Sequence, residues 1–417
     1  MRRAIIAGMI GNGLEWYDFA LYGYFAPVIG KLFFPDHDPY VQMIATYGVF
    51  AAGFATRPIG GLFFGYLGDK FGRKFSLTLS ILMMAVPTAC IGLLPTYATI
   101  GLWAPILLTS VRLLQGISIA GQFSGSITFI VEHAPVGKRG IAGSATILSL
   151  CIGMLLGSLI ATIFAESLST QAFEAWGWRV PFLLGIIIAY VGFYIRHHTE
   201  ESPHYIKARD EGKLSPTPLR EAFKNHPWEL LRGVGIYMGV TIPFYTLTVF
   251  LNGFVSKGLG HPVKDALLMS TLSMFLLLVM VPFTGWLTDL WGRKRVLMWS
   301  AAAYFVFAYP IFWFMTVPGF TAPLMAQLAF TVIVAFYVGG APTVFVELFP
   351  TSVRYTGMAL SYNICAAVFG GTAPFVETWL IRKTNMNTIV AFYIMFSAVV
   401  SLIAFIGYHD RYKEELH

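Results

Sequence analysis

Residues 65–74 read GYLGDKFGRK and residues 285–294 read GWLTDLWGRK, so one ten-residue motif occurs twice in the chain, at an offset of 220 residues. A second pattern, ExxPxxxR, occurs at residues 132–139 and again at residues 347–354, at an offset of 215 residues. The two motifs therefore repeat in the same order and at nearly the same distance. This repetition predicts that the chain contains two copies of one structural unit, an arrangement found in transporters.

The composition predicts that both copies lie in a membrane. Of the 417 residues, 56% are hydrophobic and 12% are charged, whereas soluble domains carry about 25% charged residues. A membrane-spanning helix needs about 20 mostly apolar residues, and a helix satisfies its own backbone groups in lipid. We therefore predict an all-α polytopic membrane protein with two pseudo-symmetric six-helix bundles. The twelve predicted spans are residues 4–30, 43–66, 75–95, 103–131, 140–165, 180–196, 232–257, 266–287, 296–316, 321–347, 356–381 and 387–408.

The formal net charge of +7 follows the predicted topology and does not indicate a nucleic-acid partner. If the N-terminus is cytoplasmic, 20 of the 28 Lys and Arg residues fall on the cytoplasmic side, and two, Arg57 and Arg112, fall within spans. Positive residues concentrate on the cytoplasmic side of membrane proteins. The distribution therefore predicts a multi-pass protein of the cell (inner) membrane with both termini in the cytoplasm. No small-residue cleavage pattern follows the first apolar run, so we expect that run to be retained.

The longest polar segment, residues 197–231, separates the two predicted halves. It combines Ser, Pro and charges of both signs with short helical patterns. We interpret it as a cytoplasmic linker between a six-helix bundle at residues 1–196 and a second bundle at residues 232–417.

No metal or cofactor site is predicted. His197, His198 and His204 cluster in the polar linker, where solvated loop histidines are a simpler interpretation than metal ligands. The three cysteines lie in separate apolar spans without ligand spacing, which is typical of small core residues.

Several motifs resemble those of the major facilitator superfamily and, more specifically, of its metabolite–proton symporters. GDKFGRK (68–74) resembles the signature loop of the superfamily. GNGLEWYDF (11–19), RPIGGLFFGYLGD (57–69) and ELFPTSVRYTGMALSYN (347–363) resemble the symporters, which include carriers of proline and glycine betaine, 2-oxoglutarate, citrate and shikimate. The resemblance covers nearly the whole chain, and the first half looks most like the proline/betaine carriers. It implies an alternating-access carrier in which spans 1, 4, 7 and 10 line a central cavity.

The resemblance also implies a cytoplasmic gate at the repeated motifs. In related transporters, charges at these positions hold the cytoplasmic side closed when the carrier opens outward. The matching residues are Asp69, Arg73, Glu132 and Arg139 in the first half and Asp289, Arg293, Glu347 and Arg354 in the second half.

Two carboxylates in the middle of the first span are the predicted proton-coupling residues. An unpaired charge at the centre of a bilayer costs at least about 2.5 kcal/mol, so such residues pair or face water and indicate function. Counted at about 1.5 Å per residue, Glu15 lies at nearly the depth of Arg57 in span two and can pair with it. Asp18 is then the less compensated acid and the better candidate to bind and release a proton. The alternative is a permanent Glu15–Arg57 ion pair that only joins the two spans.

Span four carries a polar face that we expect to contact the solute. Arg112, Gln115, Gln122 and Ser126 fall within about 80° of one another on a helical wheel. Arg112 is predicted to meet either an anionic group of the solute or a carboxylate on another helix. Gln122 stands where related sequences have Glu, and glutamine cannot carry a proton. Coupling then depends on Glu15 or Asp18, or is weak, or is absent.

The second half contributes mainly aromatic groups to the predicted solute site. Such groups suit a secondary or quaternary ammonium ion through cation–π attraction. Helix packing is the alternative, because aromatic residues make up 16% of the chain. Over both halves, the predicted solute-binding residues are Glu15, Tyr22, Arg57, Arg112, Gln115, Gln122, Tyr237, Tyr245, Tyr337, Tyr362 and Asn363.

Glu377 is a further acid near the outer end of span eleven, where related sequences tend to be apolar. It is a possible substitute for the Glu missing at position 122. A periplasmic gate or a satisfied interfacial acid is the favoured interpretation.

The predicted function is proton-coupled symport of a small carboxylate-bearing solute by alternating access, with a proline- or betaine-like zwitterion favoured. The alternatives are an organic-acid symporter (2-oxoglutarate, citrate or shikimate-like) and an uncoupled facilitator, because Gln122 replaces the usual Glu. The chain has no GxxxxGK[ST] motif and no His within a span core, so neither a P-loop pump nor an enzyme is predicted. We expect a monomer whose partners are the solute, protons and the lipid bilayer.

Overall fold

The computed structural model describes residues 2–35, 45–46, 48–49, 52–197 and 200–416. These residues form α-helices and π-helical segments and no β-strand, which confirms the predicted fold class. Part of the second predicted span and His198 of the histidine cluster lie outside the described residues.

Helices lie at all twelve predicted span positions in the described part of the chain. Eight of them are long and apolar enough to cross a membrane by length and composition, namely α3–α5 and α7–α11 in the numbering that follows. The twelve helices are α1 (Arg2–Phe33), α2 (Arg57–Lys70), α3 (Arg73–Leu93), α4 (Trp103–Glu132), α5 (Arg139–Ser167), α6 (Arg179–His197), α7 (Pro227–Ser256), α8 (Val263–Trp291), α9 (Arg293–Met315), α10 (Thr321–Leu348), α11 (Arg354–Thr384) and α12 (Ile389–Ala404).

The predicted linker is partly helical. Two short helices, Pro203–Asp210 and Pro218–Asn225, lie within it. Helix α7 begins at Pro227, so the last residues of the predicted linker already belong to a membrane helix.

A glycine makes the sharp turn in each copy of the repeated ten-residue motif. Gly72 joins α2 to α3 with φ 108°, and Gly292 joins α8 to α9 with φ 92°. Residues with a Cβ atom rarely adopt such angles. A Cβ atom would also collide with a carboxylate at both sites, Glu201 at Gly72 and Asp410 at Gly292. The repeated glycine therefore reflects both the turn and the close approach of an acid.

Helices α7 and α11 contain π-helical segments. These are Thr246–Phe250 within α7, Phe254–Gly258 across its C-terminal end, and Ala366–Gly370 in α11. Pro243 lies just before the first of them and has no N–H group for the helical hydrogen-bond ladder. Isolated π-helical turns inside α-helices occur frequently at functional sites.

The chain forms two compact units. Unit 1 comprises Met1–His133 and Ser149–Leu219, and unit 2 comprises Ala134–Leu148 and Arg220–His417. Helix α5 thus contributes its first residues, up to Leu148, to unit 2 and its remainder to unit 1. The bundle boundaries predicted above assign all of α5 to the first half.

Close helix packing in unit 1 brings polar residues of α2 and α4 next to α1. A Cβ atom on Gly60 of α2 would collide with the backbone carbonyl of Ile117 in α4, so the two helices touch through their backbones. Small residues allow such contacts between membrane helices. Arg57 and Arg112 lie beside this contact and face the interior of unit 1, where both are buried.

In unit 2, α7 packs against α10, α11 and α12 through small residues. A Cβ atom on Gly239 of α7 would lie 2.8 Å from the Tyr337 hydroxyl and 2.6 Å from Ser401 Oγ. One on Gly370 of α11 would lie 3.0 Å from the ring of Tyr245. These contacts fix the rotation of α7, and with it the direction of its aromatic side chains.

Candidate transport site

An ion pair between α1 and α4 lies in the interior of unit 1. Asp18 accepts a hydrogen bond from Arg112 Nη1 at 2.7 Å and another from Gln115 Nε2 at 3.1 Å. The side chains of the pair are 1% (Asp18) and 5% (Arg112) exposed. A hydrogen bond from a charged guanidinium at this distance stabilises an ionised carboxylate.

The interpretation of Asp18 as the less compensated acid is therefore wrong. The predicted pairing of Glu15 with Arg57 compared only the depth of the two residues along their helices. Whether two side chains meet also depends on the rotation and lateral position of each helix. The rotation of α4 decides which acid meets a guanidinium, and it directs Arg112 to Asp18. Of the two alternatives considered for Arg112, the structure shows the carboxylate on another helix.

Glu15 lines a small cavity together with Arg57. The cavity has a volume of about 20 Å³, which is enough for about one water molecule. The side chain of Glu15 is 2% exposed, and neither of its carboxylate oxygens has a hydrogen-bond partner among the described residues. The Arg57 guanidinium lies 4.0 Å from the centre of the Phe54 ring.

Four charged residues line this cavity, and we call them the acid–arginine cluster: Glu15, Asp18, Arg57 and Arg112.

Tyr22 and Gln115 support the Asp18–Arg112 pair. The Arg112 guanidinium lies 3.6 Å from the centre of the Tyr22 ring, and the Tyr22 hydroxyl donates to the carbonyl of Thr46 at 3.1 Å. Gln115 donates to the Thr88 hydroxyl at 2.9 Å as well as to Asp18. Both predicted solute-binding residues thus hold the pair in position in the structure described.

Gln122 lies in a separate hydrogen-bond network between α3, α4 and α1. Its side-chain oxygen accepts a hydrogen bond from Ser80 at 2.7 Å, and its nitrogen donates to Ser126 at 3.0 Å. Ser126 in turn donates to the carbonyl of Gly8 at 3.0 Å. Gln122 is fully buried and joins three helices.

Unit 2 contains a cluster of aromatic rings from α7, α10 and α11. The Tyr237 ring meets Phe345 edge to face at 4.9 Å between centroids and Tyr362 at 5.0 Å. In each of these perpendicular pairs the positively polarised edge of one ring packs against the negatively polarised face of the other. We call Tyr237, Phe345 and Tyr362 the aromatic cluster. Phe345 is an addition to the predicted set.

The other predicted residues of unit 2 are buried in helix contacts. The Tyr337 hydroxyl donates to the carbonyl of Ile236 at 2.8 Å, and Asn363 donates to the carbonyl of Ala359 at 2.7 Å. Tyr245 packs against Phe244 and beside Gly370. These contacts give Tyr337, Asn363 and Tyr245 structural roles in the conformation described.

The predicted gate residues of unit 1 form one buried network at the start of α3. Arg73 bonds Asp69 at 2.9 Å and contacts Glu132 at 3.3 Å, and it also donates to the carbonyl of Gly68 at 2.7 Å. All three charged side chains are fully buried. Arg73 thus joins the end of α2, the start of α3 and the end of α4.

The gate residues of unit 2 bind the N-terminus of α5. Asp289 accepts hydrogen bonds from the backbone N–H groups of Gly140 and Ile141 at 2.8 and 2.9 Å. An acid at a helix N-terminus is stabilised by the unpaired N–H groups and the helix dipole. Asp289 also pairs with Arg293 at 3.0 Å.

Arg139 and Arg354 differ in their partners although they match in sequence. Arg139 pairs with Glu347 at 3.3 Å, and Arg293 reaches the same oxygen at 3.3 Å. Arg354 donates to the backbone carbonyls of Val346 and Phe349 at 3.0 and 3.2 Å. The repeat therefore conserves residue types but not every pairing.

The chain matches two transporter family models and several curated transporters. The model described as "Sugar (and other) transporter" matches residues 4–226, and the model "MFS/sugar transport protein" matches residues 137–358. The glycine betaine/proline/ectoine/pipecolic acid transporter OusA of Dickeya dadantii is 35% identical over 412 residues, 97% of this chain and 82% of that protein. The proline/betaine transporter of Salmonella typhimurium is 34% identical over 425 residues, 100% of this chain and 85% of that protein. The chain belongs to the major facilitator superfamily of transporters.

The fold agrees with this assignment. The proton:xylose symporter XylE, solved with 6-bromo-6-deoxy-D-glucose, superposes with a TM-score of 0.81 at 18% identity over 99% of this chain and 97% of that chain. At this identity the likeness concerns the fold. The predicted superfamily and the predicted twelve-helix architecture are confirmed, and the protein is a membrane transporter and not an enzyme.

Two further acids of this transporter contact the repeated motifs and were not among the predicted residues. Glu201, in the linker, accepts hydrogen bonds from the backbone N–H of Lys74 at 3.1 Å, and Asp410, after α12, accepts one from the N–H of Lys294 at 2.9 Å. Each therefore caps the helix that starts with the repeated motif. Their offset of 209 residues, close to the offsets of the two motifs, is the signal that would have found them.

Burial raises the pKa of Glu201 above its ordinary value of 4.5. Hydrogen bonds from the N–H groups of Ser202 and Lys74, and the charge of Arg73, oppose this rise. Burial likewise raises the pKa of Tyr205, whose ring lies 5.0 Å from the Arg73 guanidinium. The first residues of the linker are thus packed against the gate network of unit 1.

Glu377 is buried between α11 and α7. One carboxyl oxygen lies within hydrogen-bond distance of the Thr246 hydroxyl, and the other has no partner among the described residues. The expectation of a satisfied acid is therefore wrong, because helix rotation turns Glu377 toward α7. Its place at the membrane interface and its role in a periplasmic gate stay predictions.

Proposed function

We propose that the transporter is a proton-coupled symporter of a small zwitterion that carries a carboxylate and an ammonium group, such as proline or a betaine. The names of the curated relatives supply the solute class: OusA is a glycine betaine/proline/ectoine/pipecolic acid transporter, and the Salmonella relative is a proline/betaine transporter. The observation that carries the proposal is the acid–arginine cluster, in which Glu15 is buried without a hydrogen bond to its carboxylate.

The charge of the cluster explains how proton and solute binding support each other. With both acids ionised and both arginines charged, the formal charge of the four residues is zero. Protonation of Glu15 leaves one excess positive charge in a buried place, which is costly unless an anion compensates it. The carboxylate of the solute is such an anion. Proton binding therefore strengthens solute binding, and by thermodynamic reciprocity solute binding strengthens proton binding.

Glu15 is the better proton acceptor of the two acids in the conformation described. Asp18 receives two hydrogen bonds that stabilise its charge, whereas the Glu15 carboxylate receives none from the described residues. An ionised carboxylate that is buried and receives no hydrogen bond is unfavourable even with Arg57 lining the same cavity, so a proton on Glu15 removes a larger penalty than one on Asp18. Asp18 keeps Arg112 in place until the solute carboxylate competes for the guanidinium.

The aromatic cluster of unit 2 has the chemistry to attract an ammonium group. Tyr237 and Tyr362 present buried rings from α7 and α11. Attraction of a desolvated cation to a ring face is worth about 2 kcal/mol. An organic acid without an ammonium group gains nothing from these rings, and this difference favours a zwitterion.

The volume of the cavity requires a conformational change before the solute binds. A cavity of about 20 Å³ is far smaller than the solutes considered. We propose that the transporter exposes the acid–arginine cluster to the two sides of the membrane in turn, with the networks around Arg73 and Arg139 stabilising the closed cytoplasmic side. We also propose that both termini are cytoplasmic and that the monomer is the functional unit.

Uptake into proteoliposomes that contain the purified protein tests this function. We expect saturable uptake of proline or glycine betaine that an inward proton gradient increases and an uncoupler abolishes, together with proton entry when solute is added. Uptake of 2-oxoglutarate, citrate or shikimate in place of the zwitterions would contradict the solute class. Saturable uptake that is unchanged by the proton gradient and by the uncoupler would contradict proton coupling and identify a facilitator.

A further inference from the structure

Glu377 is a fully buried acid that the proposed coupling mechanism does not use. It lies in the last part of α11, the helical segment Ala373–Thr384, in which Ala373 and Glu377 are the buried residues. The neighbours Thr378 and Trp379 are exposed. The segment therefore turns its acid inward and its apolar and hydroxyl side chains outward, the reverse of the order expected for a helix that packs in a protein core.

The Thr246 hydroxyl lies beside two acceptor oxygens, one of Ile242 and one of Glu377, and has a single hydrogen to share between them. The Thr246 hydroxyl lies 2.7 Å from the carbonyl of Ile242 and within hydrogen-bond distance of Glu377 Oε1. A hydroxyl group has one hydrogen to donate. A carbonyl oxygen can only accept, so if Thr246 donates to Ile242, as threonines in helices commonly do, Glu377 must be the donor to Thr246. That arrangement satisfies all three groups only when the carboxyl is protonated.

Among the described residues, no cation acts on Glu377, and its second oxygen has no hydrogen-bond donor. On its own helix, Arg382 and Lys383 are exposed in the last turn. A fully buried, uncompensated carboxylate is far less favourable than a buried neutral carboxyl.

Among the side chains that the structure describes on the helices packed against Glu377, one titratable group and no charge lie near it; Lys257, in the second π-helical segment, has a side chain outside that description. Tyr393 of α12 lies within electrostatic range of Glu377, and the sequence of α12 contains no charged residue. In α7, Glu229 and Arg232 lie in the first two turns, at least about 20 Å along the helix from Thr246. The protonation of Glu377 is therefore controlled by Thr246, by burial and by Tyr393.

The contact between Glu377 and Thr246 lies beside the π-helical segments of both helices. Thr246 is the first residue of the segment Thr246–Phe250, and the segment Ala366–Gly370 ends two turns before Glu377. A π-helical segment is one residue away from a regular α-helix, so a local change of winding displaces every side chain beyond it. Because Thr246 belongs to such a segment, a change of winding in α7 would alter its contact with Glu377.

We propose that Glu377 is a second proton-binding site of the transporter, which holds a proton while Thr246 covers it and releases the proton when α7 rewinds. The proposal rests on the proposed proton coupling and extends it to unit 2. In the release step the Glu377 O–H bond breaks, the electron pair stays on the carboxylate, and a water molecule takes the proton. The carboxylate that forms is stable only where water reaches it, which ties release to an open conformation.

Infrared difference spectroscopy of the full-length protein in lipid tests the protonation directly. We expect the spectrum at neutral pH to contain the carbonyl band of a protonated carboxyl that is lost in Glu377→Gln. Thr246→Val, which removes the hydroxyl and keeps the shape, is expected to shift this band because the hydrogen bond is lost. Glu166→Gln, at an exposed position, is the matched control and is expected to leave the band unchanged.

The functional part of the proposal is tested by adding solute. We expect the Glu377 band to change on solute addition and the number of protons moved per solute to be lower in Glu377→Gln than in the wild type, with counterflow retained. A carboxylate band of Glu377 at neutral pH, or a carboxyl band that solute does not change, would overturn the proposal. If the wild type moves no protons with solute, the proposed coupling fails, and the infrared band still shows whether Glu377 is protonated. If Glu377→Gln loses counterflow, Thr246→Val tests the proposal instead. A shifted carboxyl band that changes on solute addition supports the proposal, and an unshifted band overturns it.

Discussion

Arg112 Nη1 of α4 donates a hydrogen bond to Asp18 of α1 at 2.7 Å inside unit 1, and the Arg112 guanidinium lies 3.6 Å from the centre of the Tyr22 ring. Three residues before Asp18, Glu15 carries no such bond among the described residues. Two acids on one helix therefore have opposite environments. This difference assigns them different roles, Asp18 as the partner of Arg112 and Glu15 as the acid that accepts a proton.

Replacement of Glu15 by Gln is expected to separate transport from proton coupling. With Asp18 ionised, the cluster then keeps one excess positive charge, so it binds a solute carboxylate without a proton on residue 15. We expect counterflow to persist, accumulation driven by a proton gradient to disappear, and the affinity for solute to lose its pH dependence. Gradient-driven accumulation equal to that of the wild type would exclude Glu15 from coupling.

Replacement of Asp18 by Asn is expected to affect Arg112 first. The guanidinium loses its carboxylate, and the neutral amide is a weaker acceptor. Uphill accumulation is expected to be abolished while counterflow remains measurable, and binding of anionic solutes is expected to become tighter because Arg112 is released. Asp210→Asn, in an exposed ion pair with 61% exposure of Asp210, is the control. Unchanged accumulation in Asp18→Asn would remove this residue from the coupling machinery.

The Arg139–Glu347 pair predicts a stability difference between buried and exposed arginines. Arg139→Gln leaves Glu347 with fewer cationic partners in a buried place, which typically costs about 3–5 kcal/mol. Arg209→Gln breaks an ion pair whose partners are 59% and 61% exposed, and pairs of this kind contribute about 0–1 kcal/mol. Thermal unfolding in detergent measures both. Equal shifts of the melting temperature would show that the gate network contributes no more than a surface pair.

Because burial raises the pKa of Glu201 above its ordinary value of 4.5, we expect the free energy of unfolding of the protein to fall as pH rises above about 4.5. Burial raises the pKa of Glu201 in the folded protein, so over the range between 4.5 and the raised value the folded state binds more protons than the unfolded state. Under that condition the free energy of unfolding decreases with pH. Below 4.5 the group is protonated in both states and no longer contributes a slope.

Glu201→Gln removes this titration and keeps an oxygen that can cap α3. We expect the melting temperature of the variant to fall less steeply with pH than that of the wild type, while Glu415→Gln, at an exposed position near the C-terminus, leaves the slope unchanged. Parallel profiles for Glu201→Gln and the wild type would show that the linker acid does not titrate in this window.

The predictable part of the site is chemical and the unpredictable part is geometrical. The acids of span one, the two intramembrane arginines and the charged gate residues all stand out in the sequence, because polar groups are rare and costly in a bilayer. Their partners do not, since Arg112 could reach Asp18, Glu15 or solute at the same depth. Gln122 shows the same limit: its chemistry excludes a proton, but only the positions of Ser80 and Ser126 explain what it does.

Hydrophobic run lengths and the doubled motif by themselves determined the helix count and the repeat, the placement of Lys and Arg predicted the topology, and the resemblance of the motifs to known families predicted the superfamily. These properties depend on local composition and on the thickness of the bilayer, so they can be read along one dimension. Only the tertiary structure decided that Asp18 meets Arg112, that Arg139 meets Glu347, and that Glu377 turns inward to Thr246. Each of these contacts depends on how a helix is rotated about its axis, and that rotation is set by packing against neighbours that lie far away in the chain.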